Sequence, residues 1–187
     1  MVKKDEQFYR SSGGGVTIGG GEATWQPAFT LQFIRKCKEN YIHTALDTCG
    51  YITSPEGIKA LEEADLLLFD IKGMDPEEHL KHTGVSNEVI LENLKRVNAL
   101  RKPIIIRAPI IPGYTDSDQN LKATVELLAA LKSVERVDLM PVHEFGKVKY
   151  EQLGKEYKLN VQPIPQERQD EIKALFERYG LNVQIGG

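Results

Sequence analysis

Polar or charged side chains follow the apolar strands predicted along the chain, at the point where each strand ends. They are Glu22 after VTI, Asp47 and Thr48 after HTAL, Asp70 and Lys72 in LLLFDIK, Arg107 after PIII, and His143 after LMPV. In barrels of parallel strands, the carboxyl ends of the strands meet at one face, so we expect these side chains to converge there. Five strand ends together indicate a binding or catalytic pocket.

Lys72 and the neighbouring acids could serve two kinds of chemistry. Lys72 follows Asp70 by two residues, so both side chains would face the same side of a strand. A nearby carboxylate favours the charged lysine, which is a poor Schiff-base nucleophile but a good clamp for a ligand carboxylate or ribose hydroxyl. Asp47, Thr48 and Asp70 supply hard oxygen ligands for a monovalent or divalent cation, and a hydrogen-bonded cluster explains them equally well.

The glycines of VTIGGGE, which ends at Glu22, follow a short strand. The pattern matches neither G-x-G-x-x-G between a strand and a helix nor a P-loop, so nucleotide phosphates are not the expected target. Glycines at this place let backbone groups approach a ligand closely, and the adjacent carboxylate could receive a cation such as an ammonium group. The earlier glycines, residues 13–15, are explained by a flexible loop.

Apolar strands alternate with amphipathic helices, which is typical of an α/β fold, and the length predicts a single domain over residues 1–187. The predicted strands are VTI and residues 43–47, 66–71, 104–106, 137–140 and 181–185. Pro27, Pro55 and Pro165 are expected to start helices. The prolines and glycine of RAPIIPGYTD argue against regular structure there, and His79 and His82 are expected on a solvent-exposed helix. Residues 144–162 receive no assignment.

Composition excludes several classes of protein. The net charge of −3 gives no electrostatic basis for binding nucleic acid. Neither an apolar run of roughly 18 residues nor a signal peptide is evident, so we expect no membrane association and a cytoplasmic location. Cys37 and Cys49 are expected to be free thiols.

Several segments in order, GGE, DTCG, DIK, IIPGYTD and PVHEFG, resemble the glycyl-radical-enzyme activating enzymes of the radical S-adenosylmethionine (SAM) superfamily, among them those that act on pyruvate formate-lyase. The resemblance implies a partial (β/α)6 TIM-like barrel, here lacking its first strand and helix. It implies two cofactors, a 4Fe-4S cluster and S-adenosylmethionine, whose cleavage gives a 5'-deoxyadenosyl radical that removes hydrogen from a glycine of a partner glycyl radical enzyme. The implied electron donor is flavodoxin or ferredoxin.

By the same resemblance, each polar strand end acquires an expected role. Gly20, Gly21 and Glu22 would bind the methionine amino group of S-adenosylmethionine. The other expected cofactor contacts are Asp70, Lys72, Arg107 and His143. Asp47, Thr48 and Asp70 look like the monovalent-cation ligands of the family.

One departure from the family pattern concerns the cluster. The motif C-x-x-x-C-x-x-C, which supplies its three thiolates, does not occur in the chain. We therefore expect the chain to be the C-terminal larger part of a longer activating enzyme and to be inactive alone. Two alternatives stay open: a cluster-less barrel that acts as a binding module, and a Schiff-base lyase that uses Lys72.

Overall fold

One parallel sheet forms the framework of the protein. The computed structural model describes residues 2–142, 150, 152–155 and 161–186. The six strands are hydrogen-bonded in chain order: β1 (Gly15–Ile18), β2 (His43–Thr48), β3 (Leu66–Asp70), β4 (Ile104–Ile110), β5 (Val134–Pro141) and β6 (Val183–Ile185). Crossovers between neighbouring parallel strands are right-handed, which places their helices on one face. The predicted α/β class is confirmed.

One described helix precedes β1, and the other described helices connect the strands. They are α1 (Glu6–Ser12), α2 (Pro27–Lys38), α3 (Pro55–Glu63), α4 (Pro76–Thr83), α5 (Glu88–Ala99), α6 (Asp118–Ala129) and α7 (Gln166–Arg178), with 3₁₀ turns at Val2–Asp5 and Ala23–Trp25. The helix starts predicted at Pro27 and Pro55 are confirmed, and Ser54 caps α3 by accepting the Gly57 N–H at 3.2 Å. Within the described ranges no helix is long and apolar enough to cross a membrane.

The two faces of the sheet differ in burial. Under the helices, strand side chains such as Leu46, Phe69 and Ile106 are fully buried. Successive side chains of a strand point to opposite faces, and the alternate residues Leu68, Ile105 and Arg107 are only half-buried. The face without helices is therefore partly open to solvent, and it carries the charged residues that the sequence placed at strand ends.

β4 runs further than the sequence predicted. Regular structure was expected to stop near Arg107, but the strand continues through Pro109, which pairs with Met140 of β5. β3 ends first: the Ile71 N–H donates to the Arg107 carbonyl at 2.9 Å. Pro109, two residues beyond Arg107, has its nitrogen toward the side where β3 has stopped. A proline is tolerated at such a position because no ladder hydrogen bond is lost.

Two features require a glycine at position 50, just beyond β2: the backbone conformation there and the atoms that surround it. Its φ is +75°, in the left-handed region. A Cβ placed there would lie 2.2 Å from Cζ of Phe69, a fully buried ring in β3. The backbone of the loop after β2 thus packs directly against the core.

Replacing Gly50 by alanine is expected to destabilise the protein strongly, because left-handed strain of about 1–2 kcal/mol adds to overpacking of about 1–3 kcal/mol. Gly84 is the matched control: its φ is +85°, and a Cβ would meet nothing within 4 Å. Urea unfolding of Gly50→Ala and Gly84→Ala separates the two contributions. Equal losses in the two variants would contradict the close packing of Gly50 on Phe69.

Candidate functional site

Charged residues predicted at strand ends lie together at the carboxyl edge of the sheet. Asp70 of β3 pairs in register with Arg107 of β4, which in turn pairs with Asp138 of β5. Asp47 of β2 pairs with Leu68, two residues before Asp70, and so lies on the same face. The predicted convergence is thus observed for β2, β3 and β4. His143 lies outside the described residues.

The Glu22 carboxylate is held by four hydrogen bonds. Its Oε1 accepts the Thr24 N–H at 3.2 Å, the Thr24 hydroxyl at 2.7 Å and the Thr48 hydroxyl at 3.0 Å. Its Oε2 accepts the Cys49 N–H at 2.8 Å. Burial acts to raise the pKa of Glu22, but the hydrogen bonds from Cys49 and Thr24 together hold that pKa below its usual value. The carboxylate is therefore charged and fixed in place.

The space beside this carboxylate is open. A Cβ built at Gly20 or Gly21 would meet no atom within 4 Å, and Gly20 has a φ of +129°. Glu22 Oε2 accepts the Cys49 N–H, and a carboxylate oxygen can accept more than one donor. A cationic group such as an ammonium can approach the glycine backbone and this oxygen together, so these residues fit the predicted amino-group site.

Two ion pairs lie on the helix-free face. Arg107 Nη1 donates to Asp47 Oδ2 at 2.7 Å, and Arg107 Nε lies 3.2 Å from the sulfur of Met140. Lys72 Nζ donates to Asp70 Oδ2 at 2.9 Å, as their spacing predicted. The four charged side chains keep between 24% and 37% of their surface exposed. They remain within reach of a ligand that binds above the sheet.

The three residues predicted to hold a cation are only partly brought together. Asp47 and Asp70 lie on the helix-free face, and each carboxylate receives a basic side chain of the chain itself. The Thr48 side chain points the other way, toward Glu22 and the Gly50 N–H, which it accepts at 3.0 Å. A cation at this point would use the two carboxylates and would compete with Arg107 and Lys72.

A third ion pair on the same face was not predicted. Arg136 binds Asp138 through two hydrogen bonds, Nε to Oδ1 at 2.6 Å and Nη2 to Oδ2 at 3.0 Å, and Asp138 is buried. The i, i+2 spacing of opposite charges in a strand was the available signal. This bidentate pair satisfies a buried carboxylate in the row of charges that includes Arg107.

A cavity of about 650 Å³ opens beside Lys72, between the loops that follow β3 and β4. The edge of the His82 ring meets Tyr114 at a centroid distance of 4.7 Å. His79 also lines the cavity, and it is buried, with Nδ1 2.7 Å from the Val85 carbonyl oxygen. The prediction of a solvent-exposed position was wrong for His79, because the loop after α4 folds over it.

The cysteines do not form a cluster site. Cys37 lies near the end of α2, with its carbonyl bonded to Ile42 just before β2, whereas Cys49 follows β2. The length of β2, roughly 17 Å at 3.3 Å per residue, separates them. Burial raises the pKa of both thiols, which disfavours metal-binding thiolates. In the described parts of the chain no three His, Cys, Asp or Glu residues are grouped for a metal, so the residues present do not fit a 4Fe-4S cluster.

The lowered pKa of Glu22 makes a prediction for stability. The unfolded chain takes up this proton near pH 4.3, at about the ordinary value, whereas the folded chain takes it up at a lower pH. The contribution of Glu22 is thus complete above that range and is lost as the pH falls through the folded pKa. Glu22→Gln should flatten this part of the curve of unfolding free energy against pH, measured by urea unfolding. The exposed Glu135 provides the control, Glu135→Gln, and an unchanged slope in Glu22→Gln would contradict the hydrogen-bonded carboxylate.

Comparisons with known proteins identify the family of the chain. The Radical SAM superfamily model matches residues 4–128. A trans-4-hydroxy-L-proline dehydratase activating enzyme of Clostridioides difficile is 43% identical over 190 residues, which cover 100% of this chain and 63% of that protein. The pyruvate formate-lyase 1-activating enzyme of Escherichia coli K12 is 38% identical, over 95% of this chain and 74% of the relative. This chain thus spans less than two thirds of the first relative and about three quarters of the second.

A solved structure is similar over most of the chain. The crystal structure of a domain of pyruvate-formate lyase-activating enzyme from Bacteroides vulgatus superposes with a TM-score of 0.77 at 32% identity. The match covers 93% of this chain and 99% of that domain. The chain therefore belongs to the radical SAM superfamily and, within it, to the glycyl-radical-enzyme activating enzymes.

Proposed function

We propose that this chain forms the S-adenosylmethionine-binding part of an enzyme that activates a glycyl radical enzyme. One observation carries the proposal: the Glu22 carboxylate is fixed by four hydrogen bonds beside the open glycines 20 and 21, at the edge where Lys72 and Arg107 also lie. A carboxylate for the amino group and a basic side chain for the carboxylate match the two charged ends of an amino-acid ligand.

Each residue of the site has a defined part in binding. Glu22 Oε2 and the backbone of Gly20 and Gly21 receive the methionine ammonium group. Lys72, steered by Asp70, binds the ligand carboxylate or a ribose hydroxyl through a charge-assisted hydrogen bond. Arg107, held by Asp47, faces the ligand from β4. When bound, S-adenosylmethionine supplies the 5'-deoxyadenosyl radical characteristic of this family.

The 4Fe-4S cluster does not have its ligands among these residues, so this chain contributes cofactor binding and no step of electron transfer. The partner is a glycyl radical enzyme, with pyruvate formate-lyase as the specific proposal, and flavodoxin or ferredoxin as the proposed electron donor to the complete enzyme. A monovalent cation between Asp47 and Asp70, with Thr48 as a further ligand, remains a prediction. His143 is proposed as a cofactor contact on the family resemblance alone.

The alternatives have less support. A Schiff-base lyase needs a free amine at Lys72, whose nitrogen instead donates to Asp70 at 2.9 Å. Borohydride trapping of a carbonyl substrate on Lys72 would restore that alternative. A binding module without chemistry shares the same sheet, and tight partner binding without any affinity for S-adenosylmethionine would favour it.

Direct binding tests the proposal. We expect the purified chain to bind S-adenosylmethionine by isothermal titration calorimetry. Lys72→Ala should weaken binding by about tenfold to a hundredfold, as one charge-assisted hydrogen bond of about 1.5–3 kcal/mol is lost. Lys95→Ala, an exposed substitution on α5, is the control.

Adenosine as a second ligand identifies the group that Lys72 contacts. Adenosine keeps the ribose but lacks the amino-acid end. Unchanged adenosine affinity in Lys72→Ala would assign the contact to the ligand carboxylate, and a parallel loss would assign it to the ribose. No affinity of the native chain for S-adenosylmethionine would overturn the proposed function.

The two cysteines lead to a prediction for iron. After anaerobic reconstitution with iron and sulfide, the chain should hold no more than trace iron, because Cys37 and Cys49 lie at opposite ends of β2 and Cys37 is buried. Iron analysis and the optical spectrum measure this. Stoichiometric iron with the absorption band of a 4Fe-4S cluster would contradict the separation of the thiols.

A further inference from the structure

Asn93 is a polar residue at a core position of α5. It lies among Ile90, Leu94 and Val97, the apolar face of this helix, and only 3% of its surface is exposed. A buried amide without partners is costly, so its hydrogen bonds must be satisfied within the protein. The side-chain nitrogen of Asn93 donates two hydrogen bonds, and both go to one loop that is far away in the sequence.

The Asn93 side-chain nitrogen donates to two carbonyl oxygens of the loop after β2. The distances are 2.9 Å to Gly50 and 2.9 Å to Ile52. These bonds connect positions 43 and 41 residues apart, so they join the loop to a helix in the next crossover, between β3 and β4. Asn93 therefore fixes the course of the loop independently of its neighbours in the chain.

This loop and the last residue of β2 supply two of the four hydrogen bonds that hold Glu22. The Cys49 N–H donates to Glu22 Oε2 at 2.8 Å. Thr48 accepts the Gly50 N–H at 3.0 Å and donates its own hydroxyl hydrogen to Glu22 Oε1 at 3.0 Å. A continuous set of hydrogen bonds thus runs from Asn93 through residues 48–50 to the Glu22 carboxylate.

We propose that Asn93 is a positioning residue for the ligand: through the loop of residues 48–52 it sets the orientation of the Glu22 carboxylate. The inference rests on the proposed function for the identity of the ligand, but the link from Asn93 to Glu22 is independent of that identity. Asn93 does not touch the ligand. It acts by presenting the Cys49 N–H and the Thr48 hydroxyl to Glu22.

Asn98 is a matched control on the same helix. Its Oδ1 accepts the N–H groups of Lys132 and Ser133 at 2.9 and 3.1 Å. This asparagine also fastens a remote loop to α5, but that loop precedes β5 and lies at the opposite edge of the sheet. Loss of either side chain removes a loop attachment, and only one attachment leads to Glu22.

The test compares Asn93→Ala, Asn93→Ser and Asn98→Ala in the whole chain. Stability is followed by thermal unfolding, the Glu22 pKa by carbon NMR titration, and the Cys49 and Gly50 amides by hydrogen exchange. We expect all three variants to lose stability. Only the Asn93 variants should raise the Glu22 pKa toward its ordinary value of about 4.3 and speed exchange of the two amides by about tenfold or more.

Affinity for S-adenosylmethionine is the second readout, with an expected loss of about tenfold in the Asn93 variants and none in Asn98→Ala. If the native chain does not bind this ligand, the proposed function fails, and the Glu22 titration still decides the role of Asn93. Folded Asn93 variants with an unchanged Glu22 pKa and unchanged amide exchange would overturn the inference. Failure of both Asn93 variants to fold, with Asn98→Ala folded, would also overturn it, because Asn93 would then support the core as a whole.

Discussion

The site depends on the parallel direction of all six strands. Since every strand of the sheet runs the same way, each one delivers its last residues to the same edge. Each crossover returns over the helix-covered face, which leaves the other face without helices. Asp47, Asp70 and Arg107 are then neighbours because of strand register, although 60 residues separate Asp47 from Arg107 in sequence.

The parallel direction of the strands does not determine the course of the loops that follow them. Asparagine side chains hold these loops in place through hydrogen bonds to their backbone. Asn87 donates to the carbonyls of Gly73 and Met74 after β3 at 2.9 Å each. Asn120 accepts the Met74 N–H at 2.8 Å and donates to Thr115 after β4 at 2.8 Å. An amide can satisfy backbone donors and acceptors without adding charge near the ion pairs of the site. The asparagines thus hold the loops at the site without adding charge. The charges at the site come from the carboxylates and the basic residues.

The fold was predictable from the sequence because its signals are local. Apolar runs identified the six strands, and Pro27 and Pro55 marked helix starts because the fixed backbone angle of proline suits the first position of a helix. The charged residues at strand ends were also predictable as a group. The ion-pair partner of each charged residue was not predictable, because the pairing of Arg107 with Asp47 depends on strand register and on the side-chain rotamer.

Asn93 is a clearer example of what could not be predicted from the sequence. A polar residue in the apolar face of α5 must find partners elsewhere, but those partners lie in a loop that the sequence of the helix does not identify. Pro109 gave the opposite error: its intrinsic preference argued against a strand, and the early end of β3 removed the reason for that preference. Both outcomes were decided by neighbouring strands and loops.

Pro109 also marks the place where β3 and β4 part. The hydrogen-bond ladder between β3 and β4 continues up to the bond from the Ile71 N–H to the Arg107 carbonyl. The next bond of the ladder would need an N–H at Pro109, and proline has none. Beyond that point the chains after β3 and β4 separate, and Pro109 and Lys72 stand on the wall of the resulting cavity. Because Pro109 has no N–H, it cannot donate a further ladder bond toward the chain after β3, so the two loops are free to diverge around the cavity.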